Sequence, residues 1–306
     1  MQVEGRKIDF SEKLADLFTT FKDANGRENP IPQYKGEVGI EVEVEGRNLP
    51  KAPQSYWVHH PDHSLRGAEN AEYVLKQPCR RTSVTKFLIY LDKFLKAKGA
   101  KIDESNRTSV HVHVNMADKS LVQCYNYIIL YLIFEDLLTN IAGESRRGNL
   151  FCLRARDAEF FVDVLAGYAK ARKFNPDPEK LRYTSINVCA MTKFNSLEFR
   201  ALRGTTDPKI ITDWVELLLA IKDASLLYQF PDQILGDFSV LGPDDFVRKV
   251  FPEHVPLFLQ QANYHNMMWE GARLVQEIVY ATDWTKNVKP KRMFEVAQAA
   301  PNDEDD

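Results

Sequence analysis

Residues 39–46 read GIEVEVEG. Three glutamates, Glu41, Glu43 and Glu45, alternate with Ile40, Val42 and Val44, which are β-branched and apolar. A two-residue period marks a strand, because successive side chains leave a strand on opposite faces. One face is therefore aliphatic, and the other is a row of acids about 6.6 Å apart. Adjacent carboxylates at that spacing repel by roughly 2–3 kcal/mol at an effective dielectric of about 20, and by far less in water. The pattern leaves two readings: a solvated face, or a face that holds a cation.

The same design recurs. In SVHVHVN (109–115), Val110, Val112 and Val114 oppose His111, His113 and Asn115. In NSLEFRALRG (195–204), Leu197, Phe199 and Ala201 oppose Glu198 and Arg200. In YTSINVCA (183–190), Ile186 and Val188 oppose Ser185 and Asn187. Further strands are expected within QSYWVHH (54–60), before a turn at Pro61-Asp62, and in EYVLKQP (72–78). Paired in one sheet, the polar faces form a basin of carboxylate and imidazole, a donor set suited to Mg²⁺ or Mn²⁺. Bland alternatives stand beside this one. The HxH pair is also compatible with plain surface polarity, Glu198/Arg200 with a simple ion pair, and Arg146, Arg147 and Arg154 with a solvated charge run.

Between the strands, helical patterns are expected at 9–22, 82–99, 119–141, 157–171 and 207–230, with shorter helices in 243–282. Asp207 followed by Pro208 is a helix start, and KDANGRENPIP (22–32) is a loop. Strands with one apolar and one polar face suit a largely antiparallel sheet covered by helices on one side, an α+β protein. Residues 1–230 form the main domain, 231–295 a helical extension packed on it, and 296–306 a disordered acidic tail.

The 306 residues are 44% hydrophobic and 27% charged, enough for a substantial core, and the net charge of −3 gives no support for a nucleic-acid or membrane surface. Four scattered cysteines without a CxxC pair read as reduced thiols of a cytoplasmic protein. The N-terminus lacks the apolar stretch of a signal peptide. YNYIILYLIFEDLL (125–138) is too short to span a bilayer and carries Glu135 and Asp136, so it is expected to be a buried core helix. No P-loop, GxGxxG or G-x-S-x-G motif is present.

In order and spacing, GIEVEVEG, DHSLRG, EYVLKQP, SVHVHVN and LEFRALRGT, within about residues 36–206, resemble the amidoligase family of the glutamine synthetase and glutamate–cysteine ligase superfamily. The resemblance implies a glutamine synthetase-like catalytic fold over 1–230: a curved, largely antiparallel sheet with a funnel-like active site opposite its helices. It implies ATP and Mg²⁺ (or Mn²⁺), with Glu41, Glu43, Glu72, His111 and Glu198 as metal ligands. Arg200, Arg203, Arg146, Arg147, Arg154, Asn187 and His111 would face the nucleotide. Arg200, Glu72 and His113 would serve catalysis, and Asp62, Ser64 and Asn115 the substrate. Glu45 has no counterpart in the pattern. The activity so implied is carboxylate–amine ligation through an acyl phosphate, on small-molecule or peptide substrates. Two competitors are a guanidino phosphotransferase of the same superfamily and a non-catalytic binding or assembly protein.

Overall fold

The glutamate stretch lies at the centre of a seven-stranded sheet. The structure is a computed structural model and describes residues 6–288 except 24, 54, 61–64, 66–68 and 159. Its strands are β1 Thr20–Lys22, β2 Glu28–Pro30, β3 Val38–Arg47, β4 Trp57–His60, β5 Glu69–Leu75, β6 Lys101–Asp103, β7 Ser109–Asn115, β8 Ile186–Asn187 and β9 Ser196–Arg203. Its α-helices are α1 Leu14–Leu17, α2 Val84–Ala97, α3 Leu121–Ala142, α4 Phe161–Ala171, α5 Pro178–Leu181, α6 Ala190–Phe194, α7 Pro208–Ser225, α8 Pro231–Val250, α9 Val255–Leu259 and α10 Tyr264–Val279. The main sheet runs β4-β5-β3-β7-β9-β8, with β6 paired to the far end of β3, and every pairing in it is antiparallel. The fold is α+β, as the alternating patterns predict.

The aliphatic faces are buried as expected: Ile40, Val42, Val44, Val110, Val112, Val114, Leu197 and Phe199 are all in the core. Phe199 receives the rings of Tyr127 and Tyr131 from α3, with centroids 5.2 and 4.9 Å away. Asp207 caps α7, its carboxylate accepting from the backbone amides of Lys209 and Ile210, and Pro208 takes the first helical position. The short amphipathic helix expected over 9–22 is reduced to the single turn of α1. β1 and β2 pair as a hairpin, with Gly26 between them at φ +75°, because Asn25-Gly26 favours a reversal over helix.

α3 is long and apolar enough to cross a membrane, but it is the core of the protein, with the sheet on one side and α7, α8 and α10 around it. The apolar run alone underestimates this helix; burial, rather than shortness, identifies it. Phe134 stacks among Phe246, Phe251 and Phe258, so the C-terminal helices share one hydrophobic core with the sheet. α10 approaches α3 so closely that a Cβ on Gly271 would lie 2.6 Å from the Ile133 carbonyl oxygen.

Glu135 is buried on α3, its carboxylate meeting the Ser185 hydroxyl and accepting from the Ala155 amide at 2.9 Å. Burial pushes its carboxyl up to about 7, against the pull of those two donors. A raised carboxyl favours the folded state while protonated, and that contribution is lost as pH climbs from about 4.5 through about 7. At about 1.4 kcal/mol per unit, the wild-type advantage over Glu135→Gln should shrink by about 3 kcal/mol between pH 5 and pH 8. Urea unfolding of both proteins at the two pH values measures this; a pH-independent difference would show that Glu135 does not titrate there.

Candidate active site

The acid row does not face bulk water: Glu43 is 7% and Glu45 9% exposed. Register explains what gathers around it. Glu41 of β3 stands opposite His111 of β7, and Glu43 opposite Glu72 of β5. His113 of β7 stands opposite Glu198 of β9, which in turn faces Asn187 of β8. Five strands thus bring their polar residues to one face.

Three donors from three strands meet most closely. Ligand atoms of Glu41, His113 and Glu198 all lie within 4.8 Å of one another. His113 Nε2 is 3.3 Å from Glu41 Oε1 and makes no aligned hydrogen bond among the described residues; Nδ1 meets Ser196 Oγ at 3.1 Å. Burial alone would raise the Glu41 carboxyl, but His113 and His111 outweigh it and hold it well below the ordinary range. Burial likewise works against the Glu198 anion, and His113, Arg200 and His111 keep it ionised, with a lowered pKa. His113 answers in the other direction: burial lowers it, and Glu41 and Glu198 raise it further.

His111 has a different post. Its Nδ1 lies 3.2 Å from Glu41 Oε2 and 3.6 Å from Glu198 Oε1, and its Nε2 lies 2.7 Å from Ser109 Oγ. The Ser109 hydroxyl donates to Glu43 Oε2 at 2.6 Å, so it accepts from His111 Nε2–H. The structure therefore gathers Glu41, Glu198 and His113 as one donor set. It ties His111 and Glu43 to each other through Ser109.

Arg200 is aimed by a bulge. As β7 advances from Val110 to Val112, β9 steps from Leu202 to Phe199, placing an extra residue on β9. The Arg200 guanidinium pairs with Glu198 Oε1 and comes within 3.5 Å of His111 Nδ1, while its buried Nε has no hydrogen-bond partner among the described residues. Asn187 Nδ2 donates to Glu198 Oε2 at 2.7 Å, fixing the carboxylate from the other side.

Most of the remaining candidates lie elsewhere in the fold. Arg146 is 1% exposed and spends its guanidinium on the carbonyls of Arg200, Ala201 and Thr108. It closes the backbone of the bulge and has no free fork for a phosphate. Arg147 is exposed and bonds Asn140 Oδ1 at 2.9 Å. Arg154 is held by Asp136 and Asp157. Arg203 reaches the Ala142 carbonyl at the end of α3. Asn115 Nδ2 donates to the carbonyls of Tyr34 and Gly36, clamping the segment that leads into β3. Glu72 is half-buried beside Glu43 in the sheet register. Asp62 and Ser64 lie outside the described residues.

Ser109 and Ser196 are site residues absent from the sequence expectations. The alternation carried the signal, because Ser109 has the parity of His111 and His113, and Ser196 that of Glu198 and Arg200. A cavity of about 230 Å³ opens on Glu41, His113 and Ser196, walled by Tyr34 and Phe194 among others. The Phe194 ring stands edge-on to His113 at 5.6 Å.

Residues 88–222 match a family model described as "Putative amidoligase enzyme". The match covers less than half of the chain, from within α2 into α7. It contains His111, His113, Asn187, Glu198 and Arg200, and excludes Glu41, Glu43 and Glu72. No curated protein matches the chain.

Proposed function

We propose, with that amidoligase match as premise, that this chain is an ATP-dependent ligase joining a carboxylate to an amine, with Mg²⁺ or Mn²⁺ as its cation and a glutamine synthetase-like fold. The observation that carries the reading is the convergence of Glu41, His113 and Glu198 from three strands beside Arg200. The donor set fits a hard divalent cation: two ionised carboxylates, and an imidazole nitrogen without a hydrogen bond among the described residues. Glu41, Glu198 and His113 would hold it, and it would neutralise phosphoryl charge.

The chemistry needs such a site because hydroxide is a poor leaving group, so a carboxylate does not condense with an amine at neutral pH. A substrate carboxylate oxygen bonds to the γ-phosphorus of ATP, the bridging P–O bond breaks and ADP leaves. Arg200 stabilises charge on the transferred oxygens. The amine then attacks the acyl carbon, phosphate departs, and Glu72 takes the amine proton.

The test uses the wild-type protein. Mg²⁺-ATP at a hundredfold excess over Kd should stabilise it by about 2.7 kcal/mol. ADP release over a panel of acids and amines should require Mg²⁺, and hydroxylamine should trap the acyl phosphate as a hydroxamate. Neither nucleotide binding nor ADP formation would sink the ligase reading and leave the polar face as a partner-binding surface. Phosphorylation of a guanidino compound without hydroxamate would favour a phosphotransferase.

A further inference from the structure

The two imidazoles of the basin are held by opposite nitrogens. His111 meets Ser109 Oγ through Nε2, at 2.7 Å, and turns Nδ1 to Glu41 Oε2, at 3.2 Å. His113 does the reverse: Nδ1 meets Ser196 Oγ at 3.1 Å, and Nε2 lies 3.3 Å from Glu41 Oε1. One carboxylate thus has a ring nitrogen beside each oxygen, and a serine stands behind each ring. Both serines are buried, so bulk water does not compete with them for the rings.

Which nitrogen carries the hydrogen decides what each ring can do. A neutral imidazole has one N–H and one lone pair, and only the lone pair can meet a cation. Ser109 leaves His111 a single arrangement. Its amide and its hydroxyl both donate to Glu43 Oε2, at 3.0 and 2.6 Å, so the hydroxyl has only lone pairs left for the ring. Nε2 supplies the hydrogen, and Nδ1 is the atom delivered to Glu41 and Glu198. Ser196 has no such anchor: among the described residues its hydroxyl meets His113 Nδ1 alone. It can therefore turn its lone pairs to Nδ1–H. The lone pair of His113 then falls on Nε2, the nitrogen without an aligned hydrogen bond among the described residues.

We infer that Ser109 and Ser196 are positioning residues, which assign opposite tautomers to His111 and His113 so that Nδ1 of one ring and Nε2 of the other face the cation. Both serines act through the rings, and Glu43 acts one step further back, by orienting Ser109. The inference rests on the cation of the ligase reading and is independent of the reaction. A hydrogen bond behind a metal-ligating imidazole fixes its tautomer and orientation, and its loss typically costs about tenfold to a hundredfold in metal affinity.

Long-range proton–nitrogen NMR correlation on the labelled full chain with saturating Mg²⁺ reads the tautomers directly, with His111→Gln and His113→Gln assigning the signals. His111 should carry its hydrogen on Nε2 and His113 on Nδ1. Ser109→Ala should remove the preference of His111 alone, and Ser196→Ala that of His113 alone. Each should weaken Mn²⁺ binding, followed by EPR without nucleotide, by about tenfold to a hundredfold. Should the alanine variants not fold, the wild-type spectrum decides by itself. Hydrogen on His111 Nδ1 or on His113 Nε2 in the Mg²⁺ form, or alanine variants with wild-type Mn²⁺ affinity, would each overturn the inference. The expected tautomers and Mn²⁺ affinities without ADP formation over the acids and amines would instead count against the ligase reading alone.

Discussion

Glu198→Ala is expected to abolish Mg²⁺-dependent ADP formation and also to destabilise the protein by about 3 kcal/mol, the usual scale for breaking a buried ion pair from one side. The two losses have one origin. Glu198 accepts from Arg200 and from Asn187, and it faces both histidines. Removing it strands Arg200 without its carboxylate and takes a ligand from the Glu41–His113–Glu198 set. From the sequence alone, deleting one acid from a row of acids promises relief of repulsion and a gain in stability without metal. The structure reverses that sign, because the carboxylate is held ionised by cationic neighbours. A lowered carboxyl contributes stability above its unfolded pKa and loses it as pH falls through the folded value. Wild type should therefore shed part of its advantage over the variant on acidification below about pH 4.5, the ordinary glutamate value. Glu198→Gln separates the effects, since it keeps an acceptor for Arg200 and volume but not the charge: it should fold and still lose turnover by about a thousandfold, at the upper end for one transition-state contact. Urea denaturation paired with ADP release measures both; Glu198→Gln with near wild-type turnover would remove Glu198 from the essential set.

Arg200→Lys should slow ADP formation by roughly a hundred- to thousandfold, about 2.7–4 kcal/mol, while leaving Mg²⁺-ATP affinity within a few fold. Lysine keeps the charge and loses the fork. In the folded protein one arm of that fork is committed to Glu198, and Nε is buried with no acceptor among the described residues. An ammonium can satisfy Glu198 or an incoming phosphoryl oxygen, but it cannot span both with fixed geometry. The effect belongs to the transition state, where charge on the transferred group is greatest, so it should appear in kcat more than in binding. Titrating nucleotide affinity beside turnover is the measurement. Equal losses in both would make Arg200 a nucleotide-binding residue without a special role in transfer.

How much of this was legible before the structure depends on how local each property is. The two-residue periods of β3, β7 and β9, and the cap and apolar stripe of α7, are written in consecutive residues. They survive folding almost unchanged, because backbone geometry alone decides which side chains share a face. Residues 9–22 misled because a short apolar pattern cannot by itself choose between helix and hairpin, and Asn25-Gly26 turned the chain back.

The sequence by itself determined the α+β class, the aliphatic and polar faces, and the presence of Glu41, His113, Glu198 and Arg200 on strands of one design. Tertiary structure alone decided which of those residues meet. The β9 bulge sets His113 opposite Glu198, and the Ser109 contact engages His111 with Glu43. The carbonyls of Arg200, Ala201 and Thr108 draw in Arg146, which looks in the sequence like part of a solvated charge run. Burial of Glu43, Glu45 and Lys222 was equally invisible, since neither a charge nor a period states what will cover it. The physical reason is that facing is a property of the neighbouring bond, whereas pairing register, burial and the satisfaction of stray carbonyls are set by segments far away in the chain.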